Sequence, residues 1–150
     1  MLRRLVLATL ATTAAGAAGL GPVPPLPLLS PAPASASAQA PDVLTVTISK
    51  SGHKEADGTF RLDCDGEPGG DHPAAARACA RLSELAKQKQ DPFKPVPKDT
   101  LCAQQYGGPV VARITGDWRG RSVDAGFSRA NGCEIDRWEN LEPVLPRVRG

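Results

Sequence analysis

Four cysteines stand in this chain of 150 residues, at Cys64, Cys79, Cys102 and Cys133, and few large side chains accompany them. Aromatic residues are only 4%: two Trp, one Tyr and three Phe. A short chain with so little bulk to bury calls for covalent or metal support. Metal support is not indicated. Zinc sites draw on clustered ligands, whereas these cysteines are 15, 23 and 31 residues apart, without a C-x-x-C, and the histidines are His53 and His72. No cofactor motif is legible either. Disulfides are therefore expected. Four cysteines allow three pairings, of which the sequential one closes the two shorter loops. A closed loop of about 15 residues stabilises a fold by roughly 3 kcal/mol in the chain-entropy model.

Disulfides need an oxidising compartment, and the first forty residues read as the route to one. Arg3 and Arg4 precede an uncharged apolar run from Leu5 to about Leu20. A stretch rich in Pro, Ala and Ser follows and ends Ala36-Ser37-Ala38. That is the layout of a secretory signal peptide with an A-x-A processing site. Cleavage is expected after Ala38, with Ala36 and Ala40 as alternatives, and general secretion is favoured over the twin-arginine route. The expected organisation is a signal peptide over residues 1–38 and one domain over residues 39–150, secreted to the extracellular space. After the first 30 residues no window approaches the roughly 18 apolar residues of a membrane span, so no membrane partner is expected after processing. The chain holds 18 Lys and Arg against 16 Asp and Glu. Loss of Arg3 and Arg4 leaves 16 against 16, and no nucleic-acid partner is indicated.

Periodicity sketches the domain. Leu44, Val46 and Ile48 alternate with Val43, Thr45 and Thr47, a half-buried strand. Asp57-Gly58 signals a turn, and Phe60, Leu62 and Cys64 form a second strand. Asp65 to Gly70 reads as a loop. Asp71 or His72 can cap a helix with Pro73 in its first turn; Ala75, Ala78, Cys79, Leu82, Leu85 and Ala86 then recur at helical spacing until Asp91-Pro92. Residues 91–109 hold Pro92, Pro95, Pro97 and Pro109, an extended, stiffened loop that carries Cys102. A third strand covers Val110 to Ile114, a turn Gly116 to Gly120, and a fourth strand Arg121 to Phe127. Asn131-Gly132 reads as a tight turn, and Val144, Leu145 and Val148 between prolines as a weak edge strand. The expected class is α+β: an antiparallel sheet of about five strands with one long helix on one face, a second short helix being left open. A Cys64–Cys79 bond would staple helix to strand.

Four segments carry a resemblance. They are Gly70-Asp71-His72-Pro73 running on to Ala78-Cys79-Ala80-Arg81-Leu82; Leu101-Cys102-Ala103-Gln104-Gln105-Tyr106 followed by Pro109-Val110; Thr115-Gly116-Asp117-Trp118-Arg119-Gly120-Arg121; and Phe127-Ser128-Arg129-Ala130-Asn131-Gly132-Cys133. In this order, with these cysteines, they resemble the Streptomyces subtilisin inhibitor family of secreted serine-protease inhibitors. The chain departs from that pattern in one additional residue at Gly107-Gly108, in the inverted Asp-Gly order of the tryptophan turn, and in a longer, more polar segment from Trp138 to Gly150 in place of a short last strand.

The resemblance implies disulfides Cys64–Cys79 and Cys102–Cys133 and a standard-mechanism inhibitor, not an enzyme. Such a protein offers an extended loop that a protease cuts slowly and rejoins readily. The reactive bond falls between Gln104 and Gln105; Leu101, Cys102, Ala103 and Tyr106 make the surrounding contact loop, and Asn131 hydrogen-bonds it from below. Extracellular serine proteases, preferentially subtilisin-like, are the implied partners. A homodimer is implied too, with sheets packed face to face. Two other readings stay open: a secreted interaction domain on the same scaffold without inhibition, and a transglutaminase substrate using Gln88, Gln90, Gln104 or Gln105. His72 reads as a hydrogen-bonding residue at the helix terminus, and Trp118 as a packing residue.

Overall fold

Strand alternation resolves into a sheet with one apolar face. A computed structural model describes residues 40–148, and the signal peptide expected over residues 1–38 lies outside the described residues. Its elements are β1 (Val43–Ser49), β2 (Gly58–Asp63), β3 (Gly69–Gly70), α1 (Ala75–Lys87), β4 (Val111–Trp118), β5 (Arg121–Ser128) and α2 (Gly132–Asn140). The sheet order is β3-β2-β1-β4-β5, with every pair antiparallel. The register places Val46 between Phe60 and Ile114, and Ile114 opposite Ala125. Leu44, Val46, Ile48, Leu62, Ala112, Ile114, Val123, Ala125 and Phe127 are thereby buried on one side. The other side carries Thr45, Thr47, Thr59, Arg61, Arg113, Thr115 and Asp124. Some of those polar side chains pair with each other, as Arg113 with Asp124 at 2.6 Å and Thr47 with Thr59 at 3.2 Å.

Two helices cover the apolar side. Ala78, Cys79, Leu82 and Leu85 of α1 are buried, and the helix lies against β2 and β3. Cys79 is bonded to Cys64, just past the end of β2, with the Cα atoms 5.4 Å apart. The side-chain cap expected from Asp71 or His72 is absent. The helix begins at Ala75 behind Ala74, without a side-chain cap bond. Asp71 instead accepts from the Arg61 amide and so ties the helix entry to β2. His72 does serve the helix entry. Its Nδ1 accepts from the Ala74 N–H at 3.1 Å, so the proton sits on Nε2, 3.0 Å from the Val144 carbonyl oxygen.

Four expectations are corrected. The fifth strand is Gly69–Gly70, paired with Leu62 and Asp63 at the β2 edge, where a loop was expected. The turn expected at Gly116 to Gly120 shrinks to Arg119-Gly120, both at positive φ (52° and 72°), the two-residue hairpin geometry that matches strand twist. Gly116 stays in β4 because a Cβ there would lie 2.2 Å from the Val43 carbonyl oxygen of the neighbouring strand. The tail forms no edge strand. Asn131 is extended (φ −155°, ψ 173°) and its Oδ1 accepts from the Glu134 N–H at 3.0 Å, so Asn131 caps α2 and does not make a hairpin turn. Pro143 and Pro146 lack ladder donors, and the chain between them turns inward, burying Val144 and Leu145 completely.

This second helix supplies the bulk that the composition seemed to lack. Trp138 is fully buried, and its Nε1 donates to the Pro146 carbonyl at 2.9 Å, closing the tail over the core. Arg81 of α1 ties the helices together, donating to the carbonyl of Asn140 at 2.9 Å and to its Oδ1 at 2.8 Å. Trp138→Ala would leave a cavity and is expected to lower stability by about 3–5 kcal/mol. Urea unfolding followed by circular dichroism measures this; a loss under 1 kcal/mol would show that the tail is not part of the core.

Candidate functional site

The segment from Leu101 to Pro109 has no regular secondary structure, and most of its residues are exposed. Leu101 is 99% exposed and Tyr106 69%. Exposed apolar side chains of this size gain nothing from solvent, so their position points to a surface for a partner. Ala103, Gln104 and Gln105 are exposed between them.

The segment is held at both ends. Cys102 is bonded to Cys133 in the first turn of α2, the Cα atoms 5.4 Å apart. The neighbouring Ala103 carbonyl accepts from the Gly132 N–H at 3.0 Å and from the Gln105 N–H at 2.8 Å. The second bond closes a γ-turn centred on Gln104, which makes the loop convex there. At the exit, the Gly107 N–H donates to the Arg129 carbonyl at 2.8 Å, and Arg129 Nε donates back to the Gly107 carbonyl at 3.0 Å. Only Gln104, Gln105 and Tyr106 lie between the two anchors.

The structure therefore brings the sequence-derived loop residues Leu101, Cys102, Ala103, Gln104, Gln105 and Tyr106 onto one protruding segment. Asn131, expected to hydrogen-bond the loop from below, lies directly before Gly132 at the start of α2. Its Oδ1 caps α2, and the backbone N–H of the adjacent Gly132 donates to the loop at Ala103. Arg129, Gly107, Gly132 and Glu139 were missed as loop-support residues, since partners 22 residues apart, as Gly107 and Arg129 are, leave no local signal. The Asn131-x-x-Glu134 spacing, with Ile135 and Trp138 on one face, is the helix signal that was available.

A cleft of about 710 Å³ lies across the molecule between Phe60, His72, Arg77 and the Pro146 region. In it His72 is already satisfied, and Arg147 is paired with Glu142 at 3.0 Å. Among the described residues no cluster of three His, Cys, Asp or Glu could hold a metal ion, and no helix is long and apolar enough to cross a membrane.

A disulfide-stapled α+β scaffold that presents a convex loop pinned at both ends belongs to the class of proteins that engage a partner's cleft. Comparison with known proteins names the family. Residues 40–131 match the family model described as subtilisin inhibitor-like. A subtilase-type protease inhibitor of Streptomyces coelicolor is 38% identical over 113 residues, 71% of this chain and 74% of the relative. A subtilisin inhibitor of Streptomyces violaceus is 32% identical over 107 residues, 69% of this chain and 72% of the relative. Among solved structures, Streptomyces caespitosus sermetstatin, crystallised in complex with Bacillus licheniformis subtilisin, is matched at 22% identity and a TM-score of 0.46, over 72% of this chain and all of that one. The chain belongs to the subtilisin inhibitor-like family. The family match ends at residue 131, and α2 with the buried tail lies beyond it.

The two disulfides separate fold from site. Replacing Cys64 and Cys79 together by Ser should cost about 3 kcal/mol, and replacing Cys102 and Cys133 together between about 3 and 4 kcal/mol, from loops of 15 and 31 residues. Limited proteolysis with a non-specific protease below the unfolding temperature should cut residues 101–106 rapidly only in the second variant. Equal resistance in both variants would show that the loop is held without its bond.

Proposed function

We propose that the protein inhibits subtilisin-like serine proteases by the standard mechanism, with Gln104–Gln105 as the reactive bond. The observation that carries this reading is the loop itself. Leu101 and Tyr106 are exposed on a segment whose two ends are bonded to the rim of the core. Membership in a family whose curated relatives carry inhibitor names supports it.

In this reading the loop enters the protease cleft as a substrate. The catalytic serine Oγ attacks the Gln104 carbonyl carbon, the Gln104–Gln105 C–N bond breaks, and the serine proton passes to the departing Gln105 amine. In an ordinary substrate that amine diffuses away. Here it is two residues from Gly107, which stays bonded to Arg129, while the acyl half is one residue from Ala103, bonded to Gly132. The amine therefore remains beside the ester and re-forms the peptide bond. Holding the loop before binding also lowers the ordering cost of association, which is how interfaces of about 1,600 Å² become very tight.

Gln104 fills the primary pocket and Leu101, three residues earlier, an apolar outer pocket of the kind that subtilisins offer. A neutral amide leaves the carboxylate of a trypsin-like pocket unpaired, at a cost of roughly 1–3 kcal/mol, so trypsin is a poor target. The reading includes export, processing after Ala38 and an extracellular site of action. It also includes a homodimer through the open sheet faces. On that face Val111 is the exposed large hydrophobic, and Thr, Arg, Ser and Asp make up most of the remainder, so the association is reversible and salt-sensitive.

Gln104→Lys should gain a charge-assisted contact in the trypsin pocket and improve trypsin inhibition about ten- to a hundredfold, measured as Ki. Gln105→Lys, on the leaving-group side, should leave it unchanged. Mass spectrometry after long incubation with subtilisin should find the cut between Gln104 and Gln105. A cut elsewhere, or trypsin inhibition gained by Gln105→Lys alone, contradicts the assignment. Sedimentation equilibrium of residues 39–150 should give a dimer at tens of micromolar that dissociates in high salt. A monomer throughout would remove the dimer from the reading.

A further inference from the structure

Arg129 combines features that a surface arginine lacks. It is only 5% exposed, although it sits where β5 passes into α2 at the molecular rim. Burying a guanidinium is costly unless its donors are used. Its donors are divided between two elements. Nε reaches the Gly107 carbonyl of the loop at 3.0 Å, while Nη1 and Nη2 reach Glu139 Oε1 of α2 at 3.3 and 3.4 Å. Its own carbonyl accepts the Gly107 N–H. One residue thus occupies both polar groups of Gly107 and is itself steadied by α2.

The fit around Gly107 is close. A Cβ added there would lie 2.8 Å from Arg129 Nε, 3.0 Å from Ile135 Cδ1 and 3.1 Å from Arg129 Cβ. The loop backbone is pressed flat on the guanidinium and on the first turns of α2. A side chain at residue 107 would force Arg129 or Ile135 to shift, or the loop exit to move. Glu139 and Ile135 lie in the segment beyond residue 131, outside the family match. The loop exit is thus anchored to α2 through Glu139 and Ile135.

We propose that Arg129 is a positioning residue for the reactive loop: with Gly107 and Glu139 it latches the exit to α2 and keeps the Gln105 amine beside the acyl-enzyme, so that resynthesis outruns hydrolysis. This rests on the inhibitor reading above. Arg129 bonds Gly107 and Glu139 and makes no hydrogen bond to Gln104 or Gln105. It sets the fate of the cut loop, and the partition between intact and cleaved inhibitor is the quantity that it controls.

The test compares Arg129→Met, Arg129→Lys, Glu139→Gln and Gly107→Ala in the mature chain, with Arg81→Ala as a control that loosens the far end of α2. Each is incubated with a stoichiometric amount of subtilisin, and the rate of loop cleavage and the intact-to-cleaved ratio at equilibrium are followed by mass spectrometry. Arg129→Met and Gly107→Ala should raise the cleavage rate about ten- to a hundredfold, the range of one charge-assisted hydrogen bond, and shift the equilibrium toward the cleaved form. Arg129→Lys, which keeps the charge for Glu139 and not the fork, and Glu139→Gln should fall between these and the wild type. Arg81→Ala should lower the melting temperature and leave both readouts unchanged. Cleavage of Arg129→Met and Gly107→Ala at the wild-type rate, or raised no more than in Arg81→Ala, overturns the latch. Amide exchange at Gly107 needs no protease and separates this failure from that of the inhibitor reading. Exchange in Arg129→Met at the wild-type rate overturns the latch without any reference to subtilisin, whereas wild-type protein that leaves subtilisin active overturns the inhibitor reading.

Discussion

The Cys102–Cys133 bond joins the most exposed segment of the molecule to the start of a helix, and the arrangement of the site follows from it. A nine-residue stretch such as Leu101 to Pro109, with a leucine and a tyrosine turned to water, has every reason to fold back or to sample many shapes. The bond fixes one end against α2. The helix then presents the Gly132 N–H to the Ala103 carbonyl, and Arg129 secures the exit at Gly107. What projects is three residues long, and their entropy is already low before any partner arrives.

That anchor is only as firm as the helix under it, and α2 owes its place to packing. Its cap, Asn131, and its Glu134–Arg137 pair at 2.8 Å contribute modestly. Trp138, fully buried between sheet and tail, contributes much more. The chain spends one of its two tryptophans here, and the residues that follow, Leu141, Val144 and Leu145, fill the remaining space. The sheet alone offers mostly Val, Ile, Ala and Leu, and its open face is polar. Core and site are thus coupled through nine residues of helix.

Much of this was legible in the residues. Period-two alternation over Val43 to Ser49 and Arg121 to Phe127 has one solution when a face is buried, and both strands form there. The apolar spacing from Ala78 to Leu85 likewise dictates the buried face of α1. The misreadings lie where one short signal admits two geometries. Asn-Gly favours a hairpin turn, but Asn before Gly-Cys-Glu also caps a helix, and the apolar face of Ile135 and Trp138 decides between them. Prolines beside Val144 and Leu145 exclude a central strand and say nothing of an inward turn. Gly69–Gly70 forms a strand only because β2 offers an edge beside it. Arg129 carried no local mark of burial, since its partners Gly107 and Glu139 are brought to it by the fold.

The most direct measurement is an active-site titration of subtilisin with purified residues 39–150. Activity should fall linearly to zero at one inhibitor chain per protease, and the chain released on dissociation should be largely intact. Residual activity at saturating protein, or activity that returns as the chain is degraded to fragments, would contradict the account.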